Sequence, residues 1–187
     1  MNVVGFIDRI LITEIRMIQQ DYTVKHTYLS FGLISQGIEF LGALTDEFEL
    51  QMDQPGESKN RFNRALTSFF KSSYHPYADA ANPFNFYKNL RCGMLHIVVP
   101  KNKLVLGERH YDSGKYDHLK MYKDSFGNDR LFLMPEDFYE DFKCACTKVI
   151  DAINGKSLFT MFPKLSSAST TKQDVINLKR DLLNIEI

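Results

Sequence analysis

One helix-length run limits what this chain can fold into. From His26 or Thr27 to about residue 50, apolar side chains fall on nearly every side of a helix: Tyr28, Leu29, Phe31, Leu33, Ile34, Ile38, Phe40, Leu41 and Leu44. A helix of that kind belongs in the middle of a bundle or between two bundles, because it has no face suited to water. Gly32, Gly37 and Gly42 recur along it. Each costs about 1 kcal/mol of helix propensity relative to Ala, and close approach of another helix is the expected return. Glu39 interrupts the apolar run. A buried carboxylate needs a partner. Either Arg91 supplies one, or Glu39 lies on a thin solvent strip beside Ser35 and Gln36.

Other segments supply partners for this central helix. Residues 3–20 form a first helix, with Val3, Phe6, Ile7, Ile10, Leu11, Ile15 and Ile18 as a wide stripe broken by Glu14. Residues 51–57, QMDQPGE, form a loop marked by Pro-Gly. Ser58 opens a third helix to about residue 70. Its Lys59, Arg61, Arg64 and nearby Lys71 either touch phosphates or make a solvated face. Residues 72–82 form a loop leading into the next helix; His75 on it could approach the site but is expected to stay clear of it. After Pro100, short runs at 104–106, 119–122 and 130–133 are separated by the turn signals DSG and FGND. They predict a small antiparallel β insertion over residues 100–134. Pro135, Glu136 and Asp137 then open a last core helix. Its inward stripe is Phe138, Phe142, Ala145, Val149 and Ile153, and Asn154-Gly155 ends it. The expected domain is 1–155. Residues 156–187 form a linker and a tail helix over 172–185, with Val175, Ile176, Leu178, Leu182 and Leu183 apolar.

Chemistry concentrates in residues 82–100, NPFNFYKNLRCGMLHIVVP. Asn82 caps a predicted helix and Pro83 takes its first position. Phe84, Tyr87, Leu90 or Arg91, Met94 and Leu95 follow at helical spacing, and Pro100 ends the segment. Arg91 offers a permanent planar cation and His96 a group that titrates near neutrality. The pair suits a polyanion and proton transfer. Five steps of 100° set the two roughly 140° apart around an ideal helix. They share a face only if the helix distorts near Gly93, if it ends before His96, or if two motif helices meet in a dimer. Tyr87, one turn before Arg91, stacks on a base, bonds a phosphate or fills core.

Composition narrows the partners. The 23 basic and 23 acidic residues balance, so the chain has no overall surplus for gripping long duplex nucleic acid. Cys92, Cys144 and Cys146 make an odd set without metal-type spacing, which predicts free thiols in a reducing compartment and no zinc site. Asp8, Arg9, Glu14 and Arg16 break the apolar N-terminal run, and no stretch of about 18 apolar residues exists. A cytoplasmic chain without a membrane span is expected.

Tyr-Lys-Asn-Leu-Arg-Cys-Gly-Met-Leu-His, residues 87–96, resembles the Arg-x4-His signature of HEPN domains, and the order of helices over residues 3–154 resembles theirs. These are small helical bundles found in bacterial toxins, in phage-defence proteins and in non-catalytic partners of nucleotidyltransferases. The resemblance implies a mainly α, four- or five-helix up-down bundle, commonly dimeric. In catalytic members it implies RNA cleavage without metal or other cofactor, leaving a 2′,3′-cyclic phosphate. His96 would move the proton and Arg91 would hold the phosphate. Glu39, Tyr87 and Cys92 would bind or orient. Active members usually carry a polar residue after the Arg, where this chain has Cys92. The alternative implied is a non-catalytic module that dimerises and pairs with a partner protein or nucleotide.

Overall fold

A computed structural model describes residues 2–21, 27–46, 48, 55–101, 103–107 and 117–154. The predicted linker and tail helix lie outside them. So do the DSG turn and the expected continuation of the central helix beyond 48. The described residues are mainly helical, with a small three-stranded sheet. None of their helices is long and apolar enough to cross a membrane.

Helix α1 runs without a break through three segments, Val3–Phe6, Ile7–Glu14 and Ile15–Gln19, the middle one wound as a π-helix. The winding follows from the sequence. Val3, Ile7, Leu11 and Ile15 are buried at intervals of four. On an α-helix that spacing drifts by about 40° per step. The wider π winding turns less per residue and carries the row back toward the core. Asn2 caps the start, its Oδ1 accepting the Gly5 N–H at 2.8 Å.

Helix α2, Thr27–Ala43, is the central helix. It buries Phe31, Ile34, Ile38 and Leu41 completely. It stops well short of the expected end near residue 50. Thr45 Oγ1 donates to the Gly42 carbonyl at 2.7 Å, and the chain turns so that Asp46 reaches Arg61 on the next helix. Nor is it buried all round, because Tyr28 and Leu29 are exposed and Leu33 and Phe40 are half-buried. Helix α3, Glu57–Ser68, packs on it through Gly42. A loop was expected next, but Ser72–Ala78 winds into a 3₁₀ turn that buries Tyr74.

Helix α4 consists of a π segment, Tyr87–Arg91, followed by α-helical Cys92–Ile97. Strands β1, Leu104–Leu106, β2, Lys120–Lys123, and β3, Asp129–Leu133, come next. Helix α5, Pro135–Asn154, closes the described chain. It runs antiparallel to α1: Gln19 Nε2 bonds the Pro135 carbonyl at 2.8 Å, and the Tyr139 hydroxyl donates to the Ile12 carbonyl at 2.9 Å. Burial first, and then the charge of Glu140, push the Tyr139 phenol up to about 12. Phe138 stacks on Phe31 and Tyr74 and meets Phe86 edge-on, forming the aromatic centre of the core.

The sheet corrects one expectation. Its order is β1-β3-β2; β2 pairs antiparallel with β3, but β1 pairs parallel with β3, Leu104 opposite Leu131. The insertion is therefore a mixed sheet, not an antiparallel one. After α4 the chain folds back; the Leu131 N–H donates to the Lys103 carbonyl at 2.9 Å and the Gly107 N–H to the Leu133 carbonyl at 3.1 Å, so β1 runs in the same direction as β3. The β2–β3 turn matches its signal. Asp124 accepts the N–H groups of Phe126 and Asn128 at 2.9 Å, pairs with Arg130 at 2.7 Å, and Gly127 takes φ 78°. Desolvation raises the Asp124 carboxyl, but the bonds from Asn128, Arg130 and Phe126 outweigh it and hold the group near 2. A depressed carboxylate steadies the turn above its ordinary value of 3.8 and loses that effect as pH falls through about 2. The amide NMR shifts of Phe126 and Asn128 should stay flat above pH 4 and move with a midpoint near 2. A midpoint at the ordinary value would show that the turn bonds do not form.

Candidate functional site

The motif helix starts later than the sequence suggests. Asn82 does not cap it: its Oδ1 accepts the Phe84 N–H at 2.8 Å in a preceding turn. Pro83 and Phe84 lie before the helix. The cap is Asn85, whose Oδ1 accepts the Lys88 N–H at 2.9 Å while its Nδ2 donates to the Tyr77 and Asp79 carbonyls. The inward row is Phe86, Leu90 and Met94, and Leu95 is exposed. Val98, at φ 59°, ends the helix in the left-handed region, where a β-branched residue is strained. The chain then doubles back across Gly93, where a Cβ would stand 2.5 Å from the Val99 carbonyl oxygen. The Lys101 N–H donates to the Asn89 carbonyl at 2.8 Å. Asn85 and Asn89, both buried, therefore fasten the motif helix at its start and along its return.

Of the two settings open to Glu39, the structure adopts the pair with Arg91. Arg91 Nε donates to Glu39 Oε2 at 2.8 Å, with side chains 18% and 22% exposed. Glu39 Oε1 accepts from Ser58 Oγ at 2.7 Å, and the Tyr87 hydroxyl reaches Ser58 Oγ at 3.3 Å. The guanidinium carbon sits 5.4 Å from the Tyr87 ring centroid, and that ring meets Phe62 edge-on. Tyr87 thus serves as both packing and a cation-facing surface. Glu39 and Arg91 border an open hollow of about 270 Å³, lined also by Gln36, Phe40, Ala43, Arg61 and Leu95. The Glu39–Arg91 coupling, measured by a double-mutant cycle with Glu39→Gln and Arg91→Met, should be about 1 kcal/mol, as befits a partly exposed charged hydrogen bond. A coupling of zero would mean the pair does not form in solution.

His96 is not part of this group. It is exposed, does not line the hollow, and has no hydrogen bond or ion pair among the described residues. The π winding at Tyr87–Arg91 distorts the helix, yet it does not bring His96 to the Arg91 hollow. Cys92 is half-buried, and His75 is exposed on the 3₁₀ turn and also lies outside the hollow. Cys144 is exposed, and burial pushes the Cys146 thiol up. Among the described residues no three His, Cys, Asp or Glu side chains stand where they could hold a metal ion.

Two polar clusters escaped sequence reasoning. Arg61 is neither a phosphate contact nor part of a solvated face. It is buried and grips Asp46 with Nε at 2.7 Å and Nη2 at 3.2 Å. Arg64 bridges Asp46 and Glu57, each at 3.3 Å. The basic spacing on α3 was visible, but an acid 15 residues earlier, past the end of α2, carried no sign of being folded back. The second cluster ties the sheet to the helices. His118 Nδ1 accepts the Met134 N–H at 3.0 Å, so Nε2 carries the proton and donates to the Tyr74 hydroxyl at 2.7 Å. That hydroxyl donates to Asp141 Oδ2 at 2.8 Å, and Lys71 completes the carboxylate's partners at 2.7 Å. Burial, then the Asp141 charge, raise the Tyr74 phenol well above its ordinary range. Residues on three separate segments, around 71–74, 118 and 134–141, leave no spacing signal.

No protein-family model, curated protein or solved structure matches this chain.

Proposed function

We propose that this chain is a HEPN-like interaction module, cytoplasmic and without catalytic activity as a single chain, that dimerises and pairs with a partner protein or nucleotide. The observation that carries the reading is the closed Arg91–Glu39 pair at 2.8 Å, in a hollow that His96 does not line. A phosphate-holding guanidinium works through donors free to meet the transition-state charge. Here a carboxylate takes Nε and cancels the charge that would attract RNA. A proton-transfer group must reach the same phosphate, and His96 is directed elsewhere. Cys92, in place of a polar residue after Arg91, agrees with the same reading.

One observation favours a second reading. His96 is exposed and has no hydrogen bond or ion pair among the described residues, so its ring is accessible to another molecule. On that reading two motif helices meet, the His96 of one copy serves the Arg91 of the other, and the dimer cleaves RNA. The separating experiment incubates a mixed RNA pool in EDTA with the wild type, Arg91→Ala, His96→Ala and Glu39→Gln, with folding checked for each. The module reading expects no cleavage from any of the four. Cleavage by the wild type that both alanine variants lose, with cyclic phosphate ends, would overturn it in favour of the nuclease.

A further inference from the structure

An apolar groove of about 330 Å³ runs between α1 and α2 and shares Gln36 and Phe40 with the Arg91 hollow. The π winding that turns Ile7, Leu11 and Ile15 inward also aligns a second row at four-residue steps, Phe6, Ile10, Glu14 and Ile18, which lines the groove from α1. Leu33, Gln36 and Phe40 line it from α2. Phe6 and Phe40 meet with ring centroids 5.0 Å apart, so aromatic rings bridge the two walls at one end. Two polar side chains interrupt this apolar surface. Glu14 is the one charged residue lining the groove, and Gln36 is the other polar one. Both are exposed, and neither makes a hydrogen bond or ion pair among the described residues. Ile10 and Ile18 flank Glu14 on the same row, so the carboxylate stands between apolar neighbours. An apolar concavity of a few hundred Å³ with one or two orienting polar groups is the form that small-molecule sites take.

We infer that the α1–α2 groove is a binding site for a small amphiphile, a slender apolar body whose ammonium head pairs with Glu14. Charge decides the head. A groove whose one charged group is a carboxylate without a partner favours a cation and repels an anion. The apolar walls decide the body, since burying it removes hydrocarbon from water on both sides. Shape decides the size. Phe6 and Ile18 are twelve residues apart, at most about 18 Å of helix. Spread over that length, 330 Å³ leaves a slender channel. A partner helix, about 10 Å across with its side chains, could lie over it but not enter it. Glu14 is eight residues from the Phe6–Phe40 end, at most about 12 Å, which bounds the body that fits between the carboxylate and the two rings. The site is independent of the reading of Arg91 and His96. Because Gln36 and Phe40 line both concavities, a bound amphiphile would also border the Arg91 hollow.

The test titrates the full chain with three probes that share one hydrocarbon body, octylammonium, 1-octanol and octanoate, and follows the methyl NMR signals of Ile10, Ile18 and Leu33. Octylammonium should bind several-fold more tightly than 1-octanol, as an exposed ion pair allows, and octanoate should bind most weakly. The preference should shrink as salt is added. Glu14→Gln should bring octylammonium and octanoate to the affinity of 1-octanol while leaving that of 1-octanol unchanged. Glu14 is exposed and unbonded among the described residues, so this variant should keep the fold, which the unchanged 1-octanol affinity confirms. Equal affinities for the three probes in the wild type would overturn the proposal, as would a preference that survives Glu14→Gln. Shifts that miss the three groove residues, or no binding of octylammonium at all, would also overturn it. In that last case a two-chain mass by light scattering that Leu33→Glu reduces to one chain would assign the groove to a second copy.

Discussion

Asp46→Ala should lower the free energy of unfolding by about 3–5 kcal/mol, the usual cost of removing one partner from a buried ion pair. The Arg61 side chain is 6% exposed and that of Asp46 4%. The guanidinium is held by both carboxylate oxygens, at 2.7 and 3.2 Å. Asp46→Ala takes away the carboxylate that holds the Arg61 guanidinium by two nitrogens in the interface between α2 and α3. Glu57 stands with Arg64, at 3.3 Å, and offers limited relief. For a chain of this size the loss corresponds to a fall in Tm of roughly 10 °C. Urea unfolding of Asp46→Ala, Arg61→Met and the double variant checks the cause. The double variant should be more stable than Asp46→Ala alone, because it removes the buried guanidinium along with its carboxylate. A double variant less stable than either single one would mean that packing, not charge, sets the cost.

The second large effect is Gly42→Ala. A Cβ at Gly42 would lie 1.8 Å from the Arg61 carbonyl oxygen and 2.5 Å from its carbon. Both neighbours are backbone within α3, so relief requires the helices to part. Overpacking of this severity costs about 3 kcal/mol or more. The gain of about 1 kcal/mol in helix propensity does not offset it. Gly32→Ala should act in the opposite direction. Among the described residues nothing lies within 4 Å of its Cβ position, so the propensity gain of up to about 1 kcal/mol stands alone. Gly37 is intermediate, since its Cβ would meet the ring of Phe142, a side chain with some freedom to shift. Thermal melts of the three alanine variants should rank Gly32 above wild type and Gly42 lowest. Equal losses at Gly32 and Gly42 would show that helix contact is not what distinguishes them.

These glycines mark where the sequence can be read and where it cannot. Their recurrence announced helix contact on α2, and Gly37 and Gly42 make it, but no local signal distinguishes Gly32. Helix existence was legible because apolar spacing is strong over long segments: α1, α2, α3 and α5 lie where Val3 to Ile18, Phe31 to Leu41, Phe62 to Leu66 and Phe138 to Ile153 call for them. Boundaries were not. The end of α2 depends on Asp46 reaching a helix that starts eleven residues later, and the start of α4 depends on Asn85 bonding carbonyls of the preceding turn. The three strands were legible from alternation and turn residues, whereas the parallel pairing of β1 depends on the fold-back across Gly93. At the candidate site, the carboxylate within an apolar helix left two settings open, Arg91 or a thin solvent strip, and the structure adopts the first. His96 stays away from the Arg91 hollow because Cys92–Ile97 is ordinary α-helix, where five steps set it roughly 140° from Arg91; the π winding lies before that stretch.

The central claim is that Arg91 is held by Glu39 and does not act with His96 on a common ligand within one chain. The most direct measurement is NMR of the Arg91 side-chain Nε–H and the His96 ring during titration with a short single-stranded RNA. The account predicts an Arg91 Nε–H protected from exchange, lost in Glu39→Gln, and unmoved by RNA while His96 stays independent of it. Arg91 and His96 signals that shift together along one binding curve, with the Glu39 bond released, would contradict it.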